Sequence, residues 1–334
     1  DKLGTRHRKE LPMKKYNKLK SLATLAVLAT AGIYLINRAI FFICSLKDAL
    51  PSKNSNIYQW RFGNIFYTKQ GSGSPILLIH QINSGSNELV YRDMIQPLAK
   101  HHTVYTIDLI GCGRSDKPKI TYTSYLFVQL INDFIKNVIQ QKTDIIAAGN
   151  TCSIIVQACN MEKDNFNKLL FINPENMSAS KQFPGRRKML LKYLLECPIF
   201  GTFTYNIIHA MPMVEHRFYK KYYQNPSNVR ASYVNAYYNA AHLGGSRSRY
   251  LYASLKSGYI NCNLMNALKN TDHSIYLAIS QNIPDAHNTL EQYQVINPSI
   301  EGSFLHNTKY LPQLEDPESL LNICRIPGGF SASA

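Results

Sequence analysis

The chain has 334 residues, of which 45% are apolar and 11% aromatic, so it can bury a large core and is not intrinsically disordered as a whole. Its length excludes a disulfide-stapled mini-domain, and its seven cysteines include no Cys-x-x-Cys pair, which argues against a structural zinc site. Lys and Arg number 37 against 21 Asp and Glu, which gives a net charge of +16.

The positive charge is concentrated in two blocks of the sequence. Residues 1–20 contain eight basic and two acidic side chains, and residues 181–265 contain twelve basic and two acidic ones. Tyrosines are interleaved with the second block, a pattern that also suits phosphate contacts and base stacking. No nucleic-acid-binding module accompanies it, so we expect no nucleic acid partner and interpret the block as a solvated helical surface over packed tyrosines.

An apolar segment follows the basic tail of residues 1–20. Residues 21–46 predict a membrane anchor helix, because about 20 apolar residues cross a bilayer and Arg38 can snorkel to the far interface. The preceding lysines favour a single pass with a cytoplasmic N-terminus and an extracytoplasmic main domain. Two alternatives stay open: a signal peptide cleaved at Ala29-Thr30-Ala31, and an amphipathic helix that lies on the membrane or packs on the domain.

From residue 56 onward, strand and helix patterns alternate along the chain. These βα units predict an α/β domain with a mostly parallel central sheet flanked by helices. A mostly helical stretch interrupts them and predicts an inserted lid over residues 178–268, between a first core part, 56–177, and a second, 269–334. Predicted strands are 58–61, 65–67, 76–80, 103–108, 144–148, 168–172, 274–279 and 303–305, and predicted helices are 88–100, 125–141, 151–161 and a short one from residue 317.

Three motifs carry a family resemblance. They are Pro-Ile-Leu-Leu-Ile-His ending at His80, the turn from Asp108 to Pro118 that reads Asp-x-x-Gly-x-Gly-x-Ser-Asp-x-Pro, and Tyr-Leu-Pro-Gln-Leu-Glu-Asp-Pro-Glu-Ser-Leu from Tyr310. With these motifs in this order, the chain resembles the α/β-hydrolase fold superfamily, in its lid-containing, esterase- or lipase-like branch. The resemblance extends over about residues 57–326 and implies a hydrolase core beneath the lid.

The resemblance also implies where the catalytic triad lies, and the residues at all three positions depart from the family pattern. The nucleophile elbow, normally Gly-x-Ser-x-Gly, reads Gly149-Asn150-Thr151-Cys152-Ser153 and puts Thr151 at the nucleophile position. The histidine position holds Tyr310, a phenol that does not accept a proton at neutral pH. The acid position holds Ile283, with Asp285 two residues later. The sequence therefore resembles a hydrolase with a degenerate triad.

Substitute groups lie near these positions in the sequence. His306 or His287 is a candidate replacement base, which Asp285 or Glu175 would orient in a rebuilt triad. The resemblance places the oxyanion hole at the backbone amides of Cys152 and Ile82, and backbone donors survive a change of side chain.

Two functions are consistent with these features. The first is a membrane-anchored α/β-hydrolase-fold protein that is catalytically impaired or non-catalytic. It would bind a ligand or partner through the basic lid or through the pocket that is the active site in hydrolases of this fold. The alternative is an active esterase- or lipase-like hydrolase of acyl substrates that uses Thr151 or a rebuilt triad. Membrane lipid and a small acyl or anionic ligand are the expected partners, and we expect neither a cofactor nor a metal.

Overall fold

Eight strands form one sheet in the computed structural model, which describes residues 13–46, 50, 54–180 and 184–325. The strands are β1 (Ser55–Trp60), β2 (Gly63–Gln70), β3 (Ser74–Ile79), β4 (His102–Ile107), β5 (Thr143–Ala148), β6 (Phe166–Ile172), β7 (Ile275–Ser280) and β8 (Glu301–Leu305). Their spatial order is β1-β2-β4-β3-β5-β6-β7-β8. The pairs that include β2 are antiparallel, and all the others are parallel. The predicted mostly parallel α/β sheet is confirmed.

The central strands are apolar throughout because helices cover both faces of the sheet. In β3, the side chains of Ile76 to Ile79 have no exposed surface, and β5 is buried over its whole length. A strand buried on both faces reads as a continuous apolar run, which is the pattern that predicted these elements. At the edge of the sheet, β1 is mostly exposed.

Fourteen α-helices occur among the described residues, and the helices of the core connect the parallel strands. A short helical turn at Glu88–Tyr91 leads into α2, and a wider turn at Ile135–Ile139 extends α3, so both long predicted helices are present with irregular ends. The helices are α1 (Met13–Ser45), α2 (Arg92–Leu98), α3 (Ser124–Phe134), α4 (Thr151–Met161), α5 (Met177–Ser180), α6 (Arg186–Glu196), α7 (Phe200–Ile208), α8 (Met211–Arg217), α9 (Ala231–His242), α10 (Arg249–Lys256), α11 (Met265–Lys269), α12 (Ala286–Ile296), α13 (Pro312–Glu315) and α14 (Pro317–Arg325).

A helical insertion, which comprises α5 to α11, separates β6 from β7. It occupies the stretch predicted as a lid, although residues 181–183 of that stretch lie outside the described part of the chain. Its aromatic side chains pack inward, and the ring of Phe218 makes edge contacts with Tyr222 and Tyr237 at 5.4 and 5.0 Å between centroids. The insertion is therefore a packed layer over the carboxyl end of the sheet, and its movement as a lid stays a prediction.

The N-terminal helix α1 contains 33 residues, so it is roughly 50 Å long. Its segment Lys20–Cys44 is long and apolar enough to cross a membrane. Side chains from Lys20 to Ala29 are exposed, whereas Asn37 and Cys44 are buried where the second half packs against α7 and α9. Residues 1–12 of the predicted basic tail lie outside the described residues.

Candidate active site

The strand-to-helix turn after β5 is built around Gly149. This glycine has a left-handed backbone (φ +59°), and its N–H donates to the carbonyl of Ile172 at 2.9 Å. A Cβ atom at this position would lie 3.0 Å from the Cβ of Gln81. Because both the backbone angle and the available space favour glycine, the apex of the turn carries no side chain.

Thr151 lies two residues past this apex, at the first position of α4. Its side chain has no exposed surface, and its hydroxyl donates a 2.8 Å hydrogen bond to the carbonyl of His80. The family resemblance puts Thr151 at the nucleophile position, whereas the residue of the turn with a left-handed backbone is Gly149. The physical reason is that glycine adopts positive φ without the steric cost that a β-branched residue meets there.

Both amides expected to form the oxyanion hole already have acceptors. The Ile82 N–H donates to Asn150 Oδ1 at 2.8 Å, and Asn150 Nδ2 donates back to the Ile82 carbonyl at 3.2 Å. The Cys152 N–H donates to the carbonyl of Gly149 at 3.2 Å because it belongs to the first turn of the helix. The Cys152 amide is thus unavailable in this turn. The Ile82 amide is also unavailable, because Asn150 Oδ1 already accepts its hydrogen bond.

Other polar groups, directly after β3 and β4, have structural partners. The imidazole of His80 is fully buried, with Nδ1 2.8 Å from the Gln81 carbonyl and Nε2 accepting from the Leu109 N–H at 3.2 Å. Burial lowers the pKa of His80, so the ring is neutral. The Asp108 carboxylate accepts from the backbone N–H groups of Glu88 and Arg114 at 2.7 and 2.8 Å. The family turn therefore acts here as a folding motif.

The described residues form no hydrogen-bonded acid–base pair among the candidates for a rebuilt triad. Asp285 precedes α12 with a left-handed backbone (φ +58°) and an exposed side chain. The exposed His306 ring is bonded through Nδ1 to Gln281 Oε1 at 2.8 Å. His287 is also exposed and lies against the ring of Phe304, 4.2 Å between centroids. Among the described residues, no hydrogen bond joins an imidazole to Asp285 or to the Glu175 carboxylate.

Tyr310, at the position where the family has histidine, is held by the helical insertion. Its backbone N–H donates to the Tyr222 carbonyl at 3.1 Å, and Lys221 Nζ lies 5.2 Å from the centre of its ring. Glu175, which follows β6, is half-buried, and desolvation raises the pKa of its carboxyl group. Its backbone carbonyl accepts a hydrogen bond from Tyr293 at 3.3 Å.

Two residues important to this site were missed by the sequence analysis. Asn150 stands at a variable position of the elbow motif, although its side-chain amide accepts from the Ile82 N–H expected in the oxyanion hole. Asn173, with φ +47°, accepts from the Ser280 N–H at 2.7 Å and donates to the Lys309 carbonyl at 2.8 Å, so it joins the loops after β6, β7 and β8. An asparagine directly after a buried strand was the available signal, because its side chain caps backbone groups. Within the described chain, no three His, Cys, Asp or Glu side chains gather as a metal site.

Comparison with known proteins matches residues 74–197 to the α/β hydrolase fold. A 95-residue stretch is 34% identical to 2-hydroxy-6-oxo-6-(2'-aminophenyl)hexa-2,4-dienoic acid hydrolase of Metapseudomonas resinovorans and covers 27% of this chain and 33% of that protein. An 89-residue stretch is 35% identical to cis-3-alkyl-4-alkyloxetan-2-one decarboxylase of Shewanella oneidensis, covering 26% and 27%. The chain therefore matches a third or less of the length of these relatives.

Solved structures extend the likeness to most of the chain. An epoxide hydrolase without ligand superposes with a TM-score of 0.65 and 17% identity, covering 80% of this chain and 95% of that one. A serine hydrolase involved in carbazole degradation superposes with a TM-score of 0.66 and 16% identity over the same shares. At these identities the likeness concerns the fold and leaves the chemistry to the site itself.

Proposed function

Because the chain has the α/β-hydrolase fold, we propose that it is a membrane-anchored protein of this fold that does not hydrolyse esters. In this proposal it binds a ligand or partner through the basic helical insertion or through the pocket that is the active site in hydrolases of this fold. The observation that carries the proposal is the turn after β5. Its apex is Gly149, which has no side chain to act as a nucleophile, and the Ile82 N–H is already hydrogen-bonded to Asn150 Oδ1.

The chemistry of acyl transfer explains why this turn matters. A serine hydrolase needs a hydroxyl that faces the substrate, a base within hydrogen-bond reach and free donors for the developing oxyanion. The Thr151 hydroxyl is buried on a backbone carbonyl, and the histidine position holds Tyr310. A phenol hydroxyl lacks the basic ring nitrogen with which an imidazole takes up the proton of the nucleophile.

The membrane part of the proposal rests on α1 and on the surface beside it. Lysines precede the apolar segment Lys20–Cys44, which favours a cytoplasmic N-terminus and an extracytoplasmic main domain. In α6 of the insertion, Leu190, Tyr193 and Leu194 are more than 60% exposed and follow the exposed basic residues Arg186 and Arg187. Such a surface suits contact with anionic lipid.

The second candidate is an active hydrolase of acyl substrates, favoured by the matched relatives, one of which is named a hydrolase. It would use Thr151 or a triad rebuilt from His306 and Asp285. The two candidates differ in one measurable property, because only the second requires ester turnover that depends on these side chains.

The deciding experiment measures fluorophosphonate labelling and hydrolysis of short p-nitrophenyl esters by the detergent-solubilised full chain. We expect neither labelling nor turnover to differ between wild type, Thr151→Ala, Thr151→Ser and Thr204→Ala, an exposed control on α7. Turnover that Thr151→Ala abolishes, or that Thr151→Ser raises, refutes the non-catalytic proposal. Turnover lost in both His306→Ala and Asp285→Asn establishes the rebuilt triad instead.

A further inference from the structure

A cavity of about 570 Å³ lies where α1 meets the helical insertion. We call it the junction cavity. The second half of α1, the start of α7 and the segment after α9 form its walls, and the residues that matter below are Arg38, Phe41, Phe42, Ile199, His242 and Arg249. Its volume is in the range of small-ligand sites. It lies away from the turn after β5, and none of the candidate catalytic residues lines it.

Two guanidinium groups in the wall lack a carboxylate partner among the described residues. Arg249 is 5% exposed, and within the described part of the chain it donates to three neutral oxygens: the carbonyls of Glu196 (3.1 Å) and Ser246, and the hydroxyl of Tyr250 (3.0 Å). The nearby Glu196 carboxylate pairs with Lys192 at 2.8 Å and does not neutralise it. A buried cation without a counter-ion is costly, so an anion in the junction cavity would be strongly favoured.

His242 provides an unused polar atom in the same wall. Its side chain is 2% exposed, and its Nδ1 lies 2.7 Å from the Tyr238 carbonyl, so that nitrogen carries the proton. Its Nε2 is buried and has no hydrogen-bond partner among the described residues. Burial lowers the pKa of His242, so the free Nε2 is an acceptor. A ligand hydroxyl in the cavity would satisfy it.

The rest of the wall is apolar and continues onto α1. Phe41, Phe42 and Ile199 line the junction cavity, and the exposed apolar side chains of α1 extend from it toward the N-terminus, among them Leu28, Leu35 and Ile36. Arg38 and the two phenylalanines lie near the carboxyl end of the segment Lys20–Cys44, where a spanning helix meets the interface. Cationic groups at the interface beside an apolar path are complementary to an anionic amphiphile.

We propose that the junction cavity binds one phosphate-headed lipid, with its phosphate between Arg38 and Arg249, a headgroup hydroxyl on His242 Nε2 and its acyl chains along α1. The proposal rests on the membrane-anchor part of the proposed function and is independent of catalysis. A soluble phosphate ester shares the headgroup chemistry, but it lacks the chains that would contact the apolar part of the wall.

Native mass spectrometry of the full chain, purified in a neutral detergent, tests this inference. The probes are dioleoylphosphatidylglycerol, dioleoylphosphatidylcholine and glycerol 1-phosphate. We expect one phosphatidylglycerol to be retained per chain, about tenfold more tightly than phosphatidylcholine, and glycerol 1-phosphate not to displace it at equal concentration. Displacement by glycerol 1-phosphate at that concentration would overturn the lipid as occupant in favour of a soluble phosphate ester.

Matched variants separate a built site from general charge attraction. Arg38→Gln should weaken phosphatidylglycerol retention about tenfold, whereas Arg92→Gln, which removes an exposed charge from α2 of the core outside the cavity, should leave it unchanged. His242→Phe replaces the Nε2 acceptor with an apolar ring of similar size and does not change the net charge, since the imidazole is neutral. It should also weaken the retention of phosphatidylglycerol. Equal losses in Arg38→Gln and Arg92→Gln, or equal retention of both lipids by wild type, would overturn the inference.

Carbonate extraction of native membranes shows whether a negative binding result refutes only the lipid site or also the membrane anchor. A chain released by carbonate refutes the membrane anchor itself, and the lipid site with it. A chain that stays in the membrane but shows no preference for phosphatidylglycerol refutes only the junction-cavity site. A well-folded Arg38→Gln protein, shown by an unchanged thermal unfolding midpoint, keeps the binding result interpretable.

Discussion

At the residue scale, the side chain of Asn150 takes the hydrogen bond that the Ile82 amide would give to an oxyanion in a hydrolase. Its amide makes two hydrogen bonds to the Ile82 peptide unit, one as acceptor at 2.8 Å and one as donor at 3.2 Å. These contacts hold the loop after β3 against the turn after β5. The same donor that would stabilise an oxyanion in a hydrolase therefore supports the fold in this chain.

We expect Asn150→Ala to lower the free energy of unfolding by about 1–3 kcal/mol, because it removes two neutral hydrogen bonds and leaves the Ile82 amide unpaired. Urea unfolding should show a lower midpoint with an unchanged slope. Asn288→Ala is the matched control, since it removes one exposed hydrogen bond to Gln292 on α12. Equal effects of the two substitutions would contradict a structural role for the Asn150 pair.

At the scale of elements, the helical insertion has an aromatic and histidine cluster that joins α7 to α10. The ring of His209 stacks on Tyr205 with 4.1 Å between centroids and meets the edge of Tyr252 at 5.1 Å. Its Nδ1 lies 2.9 Å from the Tyr205 carbonyl. Burial lowers the pKa of His209 to about 3, and the nearby positive charge of Arg217 acts in the same direction. The cluster is therefore built around a neutral imidazole.

This cluster predicts acid sensitivity of the insertion. The pKa of His209 is lower in the folded chain than the ordinary 6.5, so the stability it contributes is complete above pH 6.5 and is lost as the pH falls toward 3. Within that window the free energy of unfolding should fall by up to about 1.4 kcal/mol per pH unit from this group.

Thermal or urea unfolding between pH 7 and pH 4.5 checks this expectation. His209→Gln keeps a donor for the Tyr205 carbonyl but does not titrate, so its stability should depend less steeply on pH than that of wild type. His306→Gln changes an exposed ring and should leave the wild-type slope intact. A His209→Gln protein with the wild-type slope would show that another group controls the acid response.

At the scale of the whole molecule, α1 is attached to the helical insertion by a buried polar contact. Asn206 of α7 donates to Asn37 Oδ1 at 2.8 Å, and Asn37 donates to the Ile199 carbonyl at 3.3 Å. Asn37 is thus a polar interruption of the apolar segment with a defined partner. This contact holds the second half of α1 against α7.

Asn206→Ala should loosen this attachment, because the side-chain Oδ1 of Asn37 then remains buried without a donor. We expect this to lower the free energy of unfolding by about 1–3 kcal/mol. We expect a lower unfolding midpoint for the detergent-solubilised full chain. Thr204→Ala, an exposed position on the same helix, serves as the control and should have no effect beyond about 0.5 kcal/mol. An unchanged midpoint for Asn206→Ala would mean that α1 is not held through this pair.

The sequence alone determined the class of fold, because its information is local and repetitive. Buried parallel strands are continuous apolar runs, and β3, β5 and β6 were predicted within two residues of their observed ends. The long apolar segment before residue 46 was visible for the same reason. The residue types at the positions that the resemblance predicts for the triad, Thr151, Ile283 and Tyr310, also needed no coordinates.

Only the tertiary structure decided where the turn after β5 has its apex and what occupies the oxyanion position. A shift of two residues, from Thr151 to Gly149, depends on where the strand ends and on the space beside Gln81. The Asn150–Ile82 pair joins residues 68 positions apart, and the junction cavity joins α1 to residues of α7 and α9. Such contacts form only after the chain is packed, so spacing along the sequence cannot reveal them.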